Sequence, residues 1–535
     1  MTRNGMRRAA PAVWAVLAGA LAMAPGGEAR AQGASRPGTL RVVPSADLTV
    51  LDPMFSTIIV TRLYSLMVYE TLFAWDTDLQ PKPQMVESWT TTPDGLSWQF
   101  ALRDGLAFHD GAAVTSQDVV ASLKRWMARD ALGLKLATYV TGMETEDAKR
   151  FSIRLSRPAP FLPFALGSGI GIIPAIMRAS DLAGDPKGQV STAIGSGPFR
   201  FNQAERVSGA RAVFDRNRAY VPRAEPPNGL AGGRLAKVDQ VEWVTIPDAN
   251  TAVAALQTGE VDLLEAPLLD LVPVLQRDRA ITVRKINNLN NQGILRPNAL
   301  HPPFNDPRAR QALALLANQD DYMSAVVADP KMWRRCASYY LCDGPWGGGA
   351  TGLVPAANTE RARSLLAEAG YKGEPLVVVA SKELAPIGQM SEVMIDGLRR
   401  AGANLDVRWT DWGTMATRIT QKAPPTEGGW NLSISYSSGI TAHSPMTNVG
   451  TNMACDGRNW AGWPCDEEVE KLRQIFVDAP DQAARLAAVV PLQARLEQVR
   501  PYVPLGEFDA PIAYRSNLRG VLDSPVITYW NIEKP

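Results

Sequence analysis

The chain has 535 residues, 46% of them hydrophobic, and carries 55 Lys/Arg against 54 Asp/Glu. That length exceeds one ordinary core, so at least two lobes are expected, and the composition excludes a disordered or fibrous chain. The near-neutral balance argues against nucleic acid and against a charge-held membrane surface, since both require a broad basic face.

Arg3, Arg7 and Arg8 precede an apolar run from Ala9 to Ala24, and Ala29-Arg30-Ala31 follows it. This is the tripartite layout of an export signal, so residues 1–31 are read as a signal peptide cleaved after Ala31, with the mature chain starting at Gln32. The run is short for a spanning helix, and no Cys follows it to accept a lipid. Sec export to the periplasm is expected. Loss of four arginines and one glutamate leaves 51 basic and 53 acidic residues.

The first strand signal is "LRVV", followed by "LTVLDPMFST", where Asp52-Pro53 imposes an extended or turning backbone. A helix is expected over about 57–70. "PDG" at 93–95 then turns the chain into "LSWQFALR", in which Trp98, Phe100 and Leu102 alternate onto one face. Thr115 and Asp118 make a capping-box signature, and Val119, Val120, Leu123, Trp126 and Met127 follow at helical spacing. His109-Asp110-Gly111 therefore lies in the connection between a hairpin and that helix. It is read as a structural turn rather than a catalytic or metal pair, because no third group is visible to orient the imidazole.

Further on, "AIGSGPFRFNQ" is a Gly-rich turn before a strand, and "DANTAVAALQTGEVDLLE" reads as helix, Gly259 stop, then strand. Neither is a phosphate cradle: the Gly-x-x-x-x-Gly-Lys and full Gly-x-Gly-x-x-Gly patterns are absent, so no nucleotide cofactor, or any other cofactor, is expected. From about residue 285 the character changes. "FNDPRARQALALLAN" starts a helix with Asp306 as cap and Pro307 at its first position, and "NTERARSLLAEAGY" ends one near Gly370. "EPLVVVAS", "PIGQMSEVMIDGLRRAG" and "ANLDVRWTDW" form a β-α-β unit, which implies a parallel sheet covered by helices. The last segment returns to strands and turns.

The four cysteines fall into two local pairs, Cys336 with Cys342 and Cys455 with Cys465. In an exported chain they read as two disulfides; a thiolate metal site is the alternative, but neither spacing is Cys-x-x-Cys.

The order of these pieces resembles the bacterial extracellular solute-binding protein family 5, the peptide, oligopeptide and nickel-complex receptors of ABC importers. The most specific match is "ESWTTTPDGLSWQFALRDGLAFHDGAAVTSQDVVASLKRW", supported by "LDP", "VYETLF", "GSGPFRF", "LQTGEVDLL", "PPFNDPRARQALAL" and "ARSLLAEAGYKG". The resemblance implies an α/β, bilobed periplasmic binding protein (Venus-flytrap) fold with an extra β-rich subdomain in the first lobe. The expected division is 32–284 for the first lobe with a subdomain at about 77–187, 285–503 for the second lobe, and 504–535 for a return to the first. It further implies a monomeric receptor, not an enzyme, serving an inner-membrane permease.

The family's peptide binders hold the α-ammonium with an aspartate in the second lobe. Here the matching stretch, Trp430 to Cys455, contains no Asp or Glu. A buried, unpaired ammonium costs several kcal/mol, so an uncharged, anionic or N-blocked solute is expected unless another acidic group reaches the pocket. Candidate ligand contacts are Met54, Phe55, Ser56, Thr57 and Tyr64 from the first lobe. Trp412, Trp430, Tyr436, Ser437, Ser438, Thr441 and His443 are those from the second, with Asn288 and Asn290 near the crossing. Aromatic rings supply apolar contact and small polar groups fix orientation. Two other readings stay open: a nickel-complex or other non-peptide receptor using His443, and a secreted hydrolase. Gly-x-Ser-x-Gly and His-Glu-x-x-His are absent, and the three histidines are far apart in sequence.

Overall fold

A computed structural model describes residues 38–185, 188–348, 357–457 and 459–535. The expected export signal and its cleavage site lie outside these residues. Two mixed sheets organise the chain, each the base of one lobe.

In the first sheet the central strand is Thr39–Val43, the "LRVV" segment, which pairs in parallel with Gln240–Val244 and Leu263–Leu264. Arg211–Arg216 and Phe199–Phe201 extend it on one side, Ile512–Arg515 and Ile281–Arg284 on the other. In the second, Leu376–Ser381 runs parallel to Leu405–Thr410 and Leu432–Ser437, joined through the helix Ala385–Arg400 as the β-α-β pattern requires. Asn291–Pro297, Val503–Phe508 and Trp333–Arg334 complete it.

The caps read from sequence are built as expected. Asp306 accepts from the Arg308 N–H at a helix whose first residue is Pro307, and Asp248 and Gly259 (φ +78°) bracket Ala249–Thr258. The helix expected near 57–70 spans Ile59–Val68. Both cysteine pairs, Cys336–Cys342 and Cys455–Cys465, are disulfides.

A smaller antiparallel sheet of four strands, Val86–Thr91, Ser97–Leu102, Arg150–Leu155 and Val140–Thr145, forms the β-rich part of the first lobe. Phe100 and Leu102 are buried there, and Phe100 stacks on Phe151 at 5.0 Å. The helix Ser116–Met127 packs on this sheet behind a complete Thr115–Asp118 capping box. His109 precedes it with its ring wedged against the Gly-rich turn: the Gly195 N–H donates to Nδ1 at 3.3 Å and Nε2 lies 3.1 Å from the Gly197 carbonyl. Accepting at Nδ1 leaves Nε2 to donate, so both nitrogens are committed to backbone.

The chain passes between sheets twice. Residues 285–290 connect Ile281–Arg284 to Asn291–Pro297, and Asp509–Pro511 connects Val503–Phe508 to Ile512–Arg515. The second crossing follows Phe508 rather than residue 504, because Val503 and Pro504 are held in the second sheet opposite Leu295 and Ile294. Lys285 Nζ bonds Asp509 Oδ1 at 2.8 Å, tying the two crossing segments together.

Candidate functional site between the lobes

Both lobes turn strand ends toward one another. From the first come Val43–Ser45 beyond the central strand, Ile246–Pro247 beyond Gln240–Val244, and Glu265–Pro267 beyond Leu263–Leu264. From the second come Leu384 and Gln389 at the start of the Ala385–Arg400 helix and Tyr436, next to the end of the strand Leu432–Ser437. Asn291 and Phe508–Pro511 close the side next to the crossings, and the cavity, open on one side, measures about 360 Å³. The crevice outside the carboxyl ends of the strands is where open α/β sheets take ligands.

The wall is mostly apolar. Tyr436 meets Phe508 edge to face, centroids 5.6 Å apart. Three carboxylates interrupt it, each in a different setting. Asp509 is paired with Lys285. Glu383 is exposed and accepts from the Trp412 backbone N–H at 2.7 Å. Glu265 is only 8% exposed, with the Ser45 N–H donating to it at 2.8 Å and the Ser45 hydroxyl at 3.3 Å. Burial pushes the Glu265 carboxyl up to about 7, against the pull of the Ser45 bonds and of Arg62. Burial, reinforced by the charge of Glu265, also raises the Tyr436 phenol, so these two groups sense each other from opposite lobes.

The residues singled out from sequence are distributed unevenly. Tyr436 lines the cavity. Ser437 and Ser438 follow it half-buried, and Ser438 and Thr441 share a hydroxyl–hydroxyl bond of 3.0 Å. Trp412 begins a helix with its ring packed at the edge of the second lobe's core. Trp430 is fully buried in that core beside Trp463, and Tyr64 is fully buried in the first lobe among Tyr69, Phe201 and Phe214. Met54 is also buried, whereas Phe55 is 40% exposed under the Arg129 guanidinium. Ser56 Oγ accepts from the Ile58 N–H, and Thr57 is exposed.

Asn290 is buried with its Oδ1 unpaired. Asn288 and His443 line a second, more open cavity of about 690 Å³ beside Lys285–Leu289, Asp343 and Gly344. His443 is buried there with Nδ1 unpartnered, and burial pushes its pKa down to about 4. Glu265, Ser45 and Phe508 were not singled out from sequence. The only signal was an acidic residue at the end of the apolar strand in "VDLLE", which sequence alone does not direct toward a cleft.

Among the described residues, Cys336, Cys342 and Glu507 bring potential metal-ligand atoms together, but the disulfide consumes both sulfurs. Glu507 accepts instead from the Cys342 N–H and from Arg334.

The cleft between two such lobes is the geometry of a solute receptor, and a family match decides the point. Residues 80–460 fit the family described as bacterial extracellular solute-binding proteins, family 5 Middle. The chain belongs to the bacterial extracellular solute-binding proteins of family 5. A probable peptide ABC transporter periplasmic-binding protein of Sinorhizobium fredii is 35% identical over 502 residues, covering 91% of this chain and 92% of that one. The periplasmic binding protein AgaA of A. tumefaciens R10, solved with agropinic acid, superposes with a TM-score of 0.78 at 21% identity, over 93% of this chain and 99% of AgaA. DppA of Helicobacter pylori, solved with the peptide STSA, gives 0.77 at 20% identity, over 92% and 97%. These neighbours share the bilobed fold. Among the described residues no helix is long and apolar enough to cross a membrane.

Proposed function

We propose that this family member is a periplasmic receptor of an ABC importer, a monomer that captures a peptide or peptide-like small solute between its lobes and hands it to a membrane permease. It performs no catalysis. The observation that carries the reading is the cavity at the strand ends of both lobes, apolar with a few convergent polar groups. The similarity to a probable peptide-transporter binding protein and to a peptide-bound structure supports the peptide class. A volume of about 360 Å³ is at the small end for ligand sites, which favours a solute of a few residues over a long chain.

In this reading Tyr436 meets the solute from the cavity wall, and Ser437, Ser438 and Thr441 of the second lobe and Phe55, Ser56 and Thr57 of the first are the further contacts proposed for it. Asn290 is a further proposed contact from the crossing, Trp412 is tied through its backbone N–H to the wall residue Glu383, and Asn288 lines the neighbouring cavity. Met54, Tyr64 and Trp430 act through packing, and His443 belongs to the neighbouring cavity.

Native mass spectrometry of freshly purified protein, followed by calorimetric titration with dipeptides, oligopeptides, N-acetylated peptides and nickel chelates, tests the assignment. One peptide class should bind without being consumed, and Tyr436→Ala should weaken it by about tenfold through lost ring contact. Turnover of the solute, or tight binding of nickel chelates alone, would show the reading to be wrong.

A further inference from the structure

We propose that Glu265, on the first lobe, receives a cationic amino group of the solute and so takes the role that the acid-free Trp430–Cys455 stretch of the second lobe lacks. The inference rests on the receptor reading above and names the chemistry of the ligand. It reverses the preference for a neutral, anionic or N-blocked solute expected from that stretch alone.

The geometry carries it. Of the three carboxylates in the cavity wall, Asp509 already has a cation and Glu383 stands in water, where its charge is screened. Glu265 is both buried and without an ion pair among the described residues. Its partners are the N–H and hydroxyl of Ser45, which fix the carboxylate and leave further acceptor positions open. A carboxylate removed from water and given only neutral donors is costly in its ionised form, and a cation entering the cavity relieves that cost. The solute thus binds the charged, closed site better than the open one, which is the condition for a ligand to shift the lobes.

The groups facing Glu265 leave this role free. Arg62, on the helix Ile59–Val68, is within electrostatic reach, yet it makes no ion pair with Glu265 and its buried Nε has no partner. Burial pushes Arg62 down to about 10, so it keeps its proton near neutrality. Tyr436 from the second lobe and Tyr529 from the C-terminal segment also sense the Glu265 charge, and both are held neutral by burial. The Lys285–Asp509 pair is internally compensated.

A consequence is a pH dependence of binding. Glu265 has its proton-bound form favoured by burial, up to about 7. A cationic solute requires the ionised carboxylate, so affinity falls as pH drops below about 7, and it falls again above about 8, where a peptide α-amino group loses its own proton. Between pH 8 and pH 6 the net loss is about fourfold, because about half of the peptide amine is already neutral at pH 8.

The test uses wild type and Glu265→Gln, which preserves shape and can still accept from Ser45, with Glu265→Asp as a charge-retaining control and thermal melts to verify folding. Each is examined by native mass spectrometry as purified, then titrated with a pool of free di- and tripeptides and with the same pool N-acetylated, at pH 6 and pH 8. The expected result is that free peptides bind wild type, lose at least tenfold with Glu265→Gln, and show a pH dependence that the variant lacks. Equal binding of the free pool to both proteins, a preference for the acetylated pool, or a flat pH response overturns the role of Glu265 and leaves the peptide reading standing. A co-purified amine that is not a peptide and is lost in Glu265→Gln overturns the peptide reading and supports Glu265. No retained solute and no binding of either pool overturns both.

Discussion

Asp52, in the "LDP" turn, is fully buried; its Oδ1 accepts from the Met54 N–H at 2.9 Å, and its Oδ2 accepts from the Val190 N–H at 2.8 Å and pairs with Arg125. One carboxylate therefore joins the first strand's exit, the helix Ser116–Met127 and the loop near residue 190. Removing one partner of a buried pair leaves the other charge uncompensated, so Asp52→Ala should cost about 3 to 5 kcal/mol in a denaturant melt. A loss below about 1 kcal/mol would mean the pair contributes little. His109 gives a second residue-scale prediction. Burial pushes its pKa down to about 4, below its unfolded value near 6.5. A depressed folded pKa means that stability is fully present above about 6.5 and is lost as pH falls toward 4. His109→Gln, which can still bond to backbone, should flatten the stability–pH curve in that window. An unchanged curve would exclude His109 as its source.

At the scale of elements, local signals were legible wherever a short-range rule sufficed. The Thr115–Asp118 box starts a helix, and Thr115→Ala should cost about 1 kcal/mol by leaving helix-start N–H groups unpaired. The two disulfides close short loops within the second lobe, between residues 6 and 10 apart in sequence. By the chain-entropy estimate each contributes about 2 to 3 kcal/mol, so Cys455→Ser with Cys465→Ser should lower the thermal midpoint without abolishing folding. Retention of the wild-type midpoint would show that the loop is already ordered without the bond. The crossing back to the first lobe was harder to read. Pro501 and Pro504 mark a change of backbone character, but the pairing of Val503 and Pro504 with a strand more than 200 residues earlier is a long-range event that no local signal encodes.

Across the whole molecule, the lobes touch away from the cavity as well as around it. Lys135 and Tyr139 of the β-rich subdomain bond to Gln474 and Asp478 of the helix Glu467–Asp478, with Tyr139 Oη 2.7 Å from Asp478. Arg157 lies over the Tyr139 ring at 4.0 Å. Ile440 and Val477 bury into the first lobe's cluster beside them. These contacts exist only while the lobes are together, so they bias the closed state without touching the cavity. Tyr139→Phe with Asp478→Ala should remove roughly 1 to 2 kcal/mol from closure, at about 1 kcal/mol per net hydrogen bond, and weaken solute binding several-fold. Small-angle scattering of the ligand-free variant should report a larger radius of gyration. Unchanged scattering and affinity would remove these contacts from the closing equilibrium.

The sequence by itself determined the class of molecule: two lobes, a β-α-β unit in the second, the capped helices, the disulfide pairs and the structural role of His109. Each of these follows from patterns spanning a few to a few tens of residues, in which one periodicity, cap or spacing dictates a local outcome. The tertiary structure alone decided which polar groups share the cavity. Trp430 just precedes the strand Leu432–Ser437 and Tyr436 lies on it, yet one fills a core and the other faces the cleft, because the neighbouring elements determine which positions stay open. Glu265 and Ser45 are separated by 220 positions and meet only because Leu263–Leu264 pairs in parallel with the central strand, bringing both exits to one side of the sheet. That juxtaposition, and the burial that leaves a carboxylate there without an ion pair among the described residues, is a property of strand order.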